Sequence, residues 1–221
     1  MNRRIRISEE DRVALAQAVK QAELRTSGEL VPVILQESDA YVRARWIWVS
    51  IGGGLGTLAA VLLHEWARYQ NWADSTQLTT LYYLLLYQFL GSFGGWVLSG
   101  FWLFRRWVLT AAQMRKAVDL KTKVLFVETG LSQTRDRTGV LILVSLFERR
   151  VQILADQGIH SKVPNGFWDT EVNQIVQSIH DGNFIRGLSA VIHQIGDKLS
   201  ENFPRKADDR NELSNEPRVE D

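Results

Sequence analysis

Two long apolar runs almost free of charge constrain this chain more than any other feature. From residue 46 to residue 104 the charged side chains are Glu65, Arg68 and Asp74 alone, whereas a helix on the surface of a soluble domain keeps a polar face. The first run, Trp46 to Leu63, and the second, Leu78 to Phe104, each approach or exceed the ~20 residues needed to cross a bilayer. Seven of the eight tryptophans lie between residues 46 and 107, and such amphipathic rings collect at membrane interfaces. The sequence therefore predicts a transmembrane helical hairpin over 46–104, with spans at about 46–63 and 78–104.

The glycines inside these runs are the next question, because SIGGGLGTLAAVLL superficially resembles a phosphate-binding loop. Gly52 and Gly54 are followed by Thr57 where the dinucleotide fingerprint places a third glycine. The Gly-Lys-Ser/Thr ending of the other phosphate loop is absent too, since no lysine occurs between Trp46 and Phe104. Gly52 and Gly56 instead stand one helical turn apart, as do Gly91 and Gly95. Small residues at that spacing let helix backbones approach where lipid gives no hydrophobic drive. These four glycines are expected to pack the spans together or against a second copy.

Charge sets the orientation and excludes some function classes. Arg43 and Arg45 precede the first span, Arg105, Arg106, Arg115 and Lys116 follow the second, and the connecting segment carries only Arg68. By the positive-inside rule both termini are cytoplasmic. The net charge of +1 argues against nucleic acid as a partner. The chain has no cysteine, so disulfides and thiol catalysis are excluded. His64-Glu65 begins like a zinc-protease motif, but Arg68 occupies the second histidine position.

The flanking segments read as one α/β domain. Residues 1–45 supply a helix beginning at Ser8 and closing at Gly28, then a strand over Glu29 to Gln36; Pro32 points to an edge or a bulge there. Residues 105–203 supply a helix from Val108 to Thr129 and an antiparallel hairpin, with Val140 to Leu146 and Val151 to Ala155 joined through Glu148-Arg149. Two amphipathic helices follow, broken at Asp181-Gly182-Asn183. Residues 204–221 are polar enough to be expected as a disordered tail. An even number of spans returns the chain to the same side, so the two soluble pieces can complete one sheet.

The stretches AELRTSGELVPVI and TRDRTGVLILVSLFERRVQILADQGI resemble the bacterial membrane-inserted branch of the TPM domain family. The resemblance implies a TPM-like α/β sandwich with a small mixed sheet, here interrupted by the transmembrane hairpin, in a bacterial inner-membrane protein. It also implies a range of roles, since some lumenal members are acid phosphatases, some bind calcium, and others are assembly or repair factors. This chain has ADQGIHSKVP where lumenal members have a glycine-rich G-x-G-L-E segment. The expected function is accordingly a non-catalytic binding, assembly or quality-control factor for membrane proteins, with a metal-assisted phosphatase as the alternative.

Candidate site residues gather at the ends of the hairpin. Antiparallel pairing brings Asp136 and Asp156 to one edge, where they are candidate ligands for a divalent cation such as Ca²⁺, or simply turn residues. Arg135, Arg137 and His160 are candidates for an anion or a partner contact. Glu148, Arg149 and Arg150 at the other end read as a solvated turn, and His180 and His193 as packing or surface residues. The partners expected are the bilayer, another membrane protein, and a second copy through the glycine faces.

Overall fold

The computed structural model describes residues 7–70, 77–160, 162–164, 166–206 and 211–220, with the side chains of Gln77 and His160 outside that set. It divides into two compact units, one of Met1–Asp39 with Arg115–Asp221 and one of Ala40–Met114.

The first unit opens with helix α1 (Glu9–Glu23), started by a reciprocal cap in which the Asp11 N–H donates to Ser8 Oγ and the Ser8 N–H donates to Asp11 Oδ2. Strand β1 (Glu29–Leu35) follows. Gly28 does not close α1, which ends four residues earlier at Leu24. A Cβ at Gly28 would lie 2.8 Å from Leu199 Cδ1 and 3.3 Å from the Thr138 carbonyl, so glycine is needed there for close approach.

The second unit holds α2 (Val42–Tyr69), α3 (Gln77–Ser99) and the short α4 (Trp102–Val108). Two of these helices are long and apolar enough to cross a membrane, over Val42–Tyr69 and Leu78–Ser99. The first is longer than the apolar run suggested, while the second run is not one helix. Ser99 Oγ donates back to the Trp96 carbonyl, the Gly100 and Phe101 N–H groups bond only three residues back, and Phe101 is extended. Glycine at 100, poorly disposed to helix, ends α3 there.

The chain then enters α5 (Ala111–Glu128), begun by Thr110 and Gln113 in the same reciprocal capping pattern as α1. After a 3₁₀ turn at Leu131–Gln133 come β2 (Gly139–Ser145), β3 (Arg150–Ala155), the short α6 (Gln157–His160), α7 (Phe167–His180), α8 (Phe184–Asn202) and β4 (Arg218–Glu220). Gly182, at φ 75°, makes the break between α7 and α8.

The sheet has the order β3-β2-β1-β4. β1 runs parallel to β2 over its whole length, with Glu29 opposite Gly139 and Leu35 opposite Ser145, so segments on either side of the apolar helices pair directly. β2 and β3 form the antiparallel hairpin. Alternation along the strands separates two cores. Leu30, Ile34, Val140, Ile142 and Val144 pack with α1, α7 and α8, while Val31, Val33, Leu35, Leu141 and Leu143 pack with Val118 and Leu125 of α5. Both central strands are buried along their whole length, which is why neither shows a polar alternation in sequence.

Two sequence expectations are corrected here. The polar C-terminal segment is not a disordered tail throughout: β4 pairs parallel to β1 at Val33–Leu35, and the Lys121 ammonium lies 3.0 Å from a Glu220 carboxylate oxygen. Glu212 N–H donates to Glu29 Oε1, Asn215 donates to Glu23, and Leu213 joins the α5-side core. β1 is therefore an inner strand and Pro32 is not on a sheet edge in the full sense. The Glu29 N–H points to the β2 side and donates to Thr138, whereas the Gln36 N–H points to the β4 side and donates to Glu220. By alternation position 32 faces β4, whose pairing begins only at Val33. The missing N–H falls one residue before a ladder would need it.

Candidate functional site

Asp136 and Asp156 come to the same end of the hairpin, as antiparallel pairing requires. The Asp156 N–H donates to the Gly139 carbonyl at 2.9 Å, continuing the ladder, and Asp136 stands three residues before that glycine. The α6 turn lies against the Asp136 segment so closely that a Cβ at Gly158 would be 2.5 Å from the Arg137 carbonyl oxygen. Arg137 takes a left-handed conformation at φ 54°, turning the chain into β2.

The two carboxylates have different surroundings. Asp136 Oδ2 accepts from Lys206 Nζ at 2.7 Å and lies 4.0 Å from an Arg135 guanidinium nitrogen. The Lys206 hydrogen bond, with the charges of Lys206 and Arg135, outweighs partial desolvation and holds the Asp136 carboxyl below its ordinary range. Asp156 is 7% exposed. Its Oδ1 accepts from the Gln157 N–H at 2.6 Å, while Oδ2 is buried and has no hydrogen-bond partner among the described residues. Among the described residues no three His, Cys, Asp or Glu side chains converge as a metal-holding group. Arg135 also engages the C-terminal segment, its N–H donating to Glu212. Arg137 is exposed, and the His160 side chain lies outside the described residues.

The opposite end of the hairpin corrects the sequence reading of Glu148 as part of a solvated turn. Glu148 is 3% exposed. Its Oε1 accepts from the Ser38 N–H at 3.0 Å, its Oε2 accepts from Ser145 Oγ, and the Ser38 and Ser145 hydroxyls are 2.8 Å apart. This buried group joins the ends of the parallel strands β1 and β2, the end of an open α/β sheet at which ligands commonly bind. One signal was available in the sequence: Ser145 is the single polar residue in the run Val140 to Leu146, and Glu148 follows three residues later. Arg149, at φ 54°, is exposed and makes the turn itself.

One further buried acid had no sequence signal. Glu171 on α7 is 4% exposed, its Oε2 has no partner among the described residues, and burial pushes its carboxyl above the ordinary range.

Within the second unit, α2 and α3 meet through the four glycines singled out above. A Cβ at Gly52 would run into the Gly91 carbonyl oxygen, at Gly56 into that of Tyr87, at Gly91 into that of Gly52, and at Gly95 into that of Trp48. Gly54 and Gly94 face open space. Trp48 Nε1 donates to the Phe104 carbonyl at 2.7 Å, tying α2 to α4. Away from the contact the helices present large apolar side chains, among them Leu55, Leu62, Phe89 and Trp96, each more than half exposed.

The features together define a mixed α/β domain with a helical pair inserted between its first and second strands. Residues 105–198 match the family model described as the TPM domain, a segment of the chain that holds the β2–β3 hairpin and most of the helices packed on it. The solved structure of the BA42 protein from the psychrophilic bacterium Bizionia argentinensis, determined by NMR, superposes with a TM-score of 0.57 at 21% identity, covering 99% of each chain. At that identity the likeness is one of fold. A comparison with curated proteins finds no match.

Proposed function

We propose that this is a multi-pass protein of the bacterial inner membrane, held by α2 and α3, with both termini cytoplasmic, whose TPM domain binds and stabilises other membrane proteins without catalysing a reaction. The observation that carries the anchoring is the α2–α3 contact itself. Glycine backbones meet inside the pair while large apolar side chains point outward, the reverse of a soluble helix pair and the arrangement suited to lipid. Basic flanks on both sides of the pair support the orientation.

Partner binding is supported by the outer face of α5. Leu120, Val124 and Val127 recur at helical spacing there and are 62%, 41% and 59% exposed. The phosphatase alternative draws on the partnerless Oδ2 of buried Asp156, but Asp136 is already engaged by Lys206. The test is affinity purification of the full-length protein from detergent, comparing the parent with a Leu120→Glu, Val124→Glu double variant. Membrane proteins retained by the parent and lost from a correctly folded variant are the expected result. The alternative wins if purified protein turns over phosphate esters in a divalent-metal-dependent way that Asp156→Ala abolishes.

A further inference from the structure

The centre of α3 carries a polar group where a bilayer has none to offer. In Gln77–Ser99, Gln88 has eleven residues on either side. At about 1.5 Å per residue it lies about 16 Å from each end, the midplane of a hydrocarbon core about 30 Å thick. The Gln88 side chain is exposed, and neither its carboxamide nor the hydroxyl of Ser92, one turn on, forms a hydrogen bond among the described residues. Ser92 Oγ sits beside α2, 2.6 Å from where a Gly53 Cβ would be, and Gln88 Cγ is 3.9 Å from the same point. The two therefore lie on one flank of the helix pair.

Leu81 and Leu85, 53% and 58% exposed, extend that flank. The series 81, 85, 88, 92 has the alternating four-three spacing of a helix–helix seam, with Gln88 at a core position, where a buried polar residue fixes register. The glycine faces are already used between α2 and α3, so they are unavailable to a second copy unless the pair opens.

We propose that a second copy of this chain packs along the Leu81–Leu85–Gln88–Ser92 seam, with the two Gln88 carboxamides hydrogen-bonded to each other. A carboxamide both donates and accepts, so an identical group satisfies it across a two-fold axis. The inference rests on the membrane reading above.

The full chain, which has no cysteine of its own, is reconstituted in phosphatidylcholine vesicles with a single cysteine at Leu81 or Leu85 on the seam, or at Leu90 on the opposite face. Copper-phenanthroline oxidation is expected to link Leu81→Cys and Leu85→Cys into dimers and to leave Leu90→Cys monomeric. Adding Gln88→Leu is expected to weaken dimerisation about tenfold, the effect of one hydrogen bond between membrane helices, while Gln88→Asn retains part of it. Melting of the Gln88→Leu protein in detergent is expected to match the parent, since the carboxamide forms no hydrogen bond among the described residues. Equal linking at all three positions, or linking indifferent to Gln88→Leu, overturns the seam. Release of the native protein from cell membranes by alkaline carbonate overturns the membrane reading instead, so the two failures are told apart.

Discussion

Gly52 and Gly91 meet backbone to backbone, each standing where a Cβ on the other would collide with a carbonyl oxygen. The relationship separates glycines that pack from glycines that do not. Gly52→Ala and Gly91→Ala are expected to destabilise the helix pair by roughly 1–3 kcal/mol through overpacking. Gly54→Ala and Gly94→Ala meet nothing within 4 Å and should be neutral or stabilising by up to about 1 kcal/mol, because alanine favours helix. Thermal melting in detergent compares the four directly.

Removing the C-terminal strap tests whether it belongs to the fold. Ending the chain at Lys206 deletes β4, the Glu212–Glu29 and Asn215–Glu23 hydrogen bonds and the Leu213 contact. The expected loss is roughly 3–4 kcal/mol, from about 1 kcal/mol for each of the two hydrogen bonds and about 1–2 kcal/mol for the partly buried Leu213. It also bares the β1 edge at Val33–Leu35, so the shortened protein should aggregate more readily. Urea denaturation and light scattering measure the two effects.

Much of the first unit was legible in the sequence because its helices carry apolar residues at helical spacing and the first strand of its hairpin is an apolar run interrupted at Ser145 alone and followed by a charged turn. The strap was illegible because its hold is largely polar: carboxylate, amide and ammonium contacts distant in sequence, with Leu213 as its contact to the apolar core. Glu148 was misread for a related reason, since its burial depends on Ser38, which reaches it across 110 positions of chain. The pairing of Asp136 with Lys206 spans 70 positions and has no local signature either.

Glu171 gives a pH signature. Burial raises its carboxyl above the ordinary value of 4.5 in the folded state, so the native chain holds the proton more tightly than the unfolded one. Its stabilising share is complete below pH 4.5 and is lost as pH rises through the raised folded value. Glu171→Gln should therefore flatten the fall in stability between pH 4.5 and neutrality and leave the variant more stable than the parent at pH 7. A series of urea melts across that range checks it.

Asp136 has the opposite sign. Its folded value lies below 3.8, so the Lys206 contact stabilises above that pH and fades as pH falls through the lowered value. Both partners are partly exposed, at 28% and 51%, and Asp136→Asn should cost less than about 1 kcal/mol at neutral pH, and less again in high salt. Calorimetric titration with Ca²⁺, Mg²⁺ and Mn²⁺ is expected to give no binding heat in the parent. Metal binding lost in both Asp136→Asn and Asp156→Asn would establish the cation site in place of the structural role.

The most direct test of the anchored, cytoplasm-facing account is thiol labelling of the cysteine-free chain. Single cysteines replace Ser75, in the segment connecting the two spans, and Ser132, in the turn before β2. An impermeant maleimide is expected to label Ser75→Cys in intact cells and to reach Ser132→Cys only after the membrane is opened. Labelling of Ser132→Cys but not Ser75→Cys in intact cells would contradict the account.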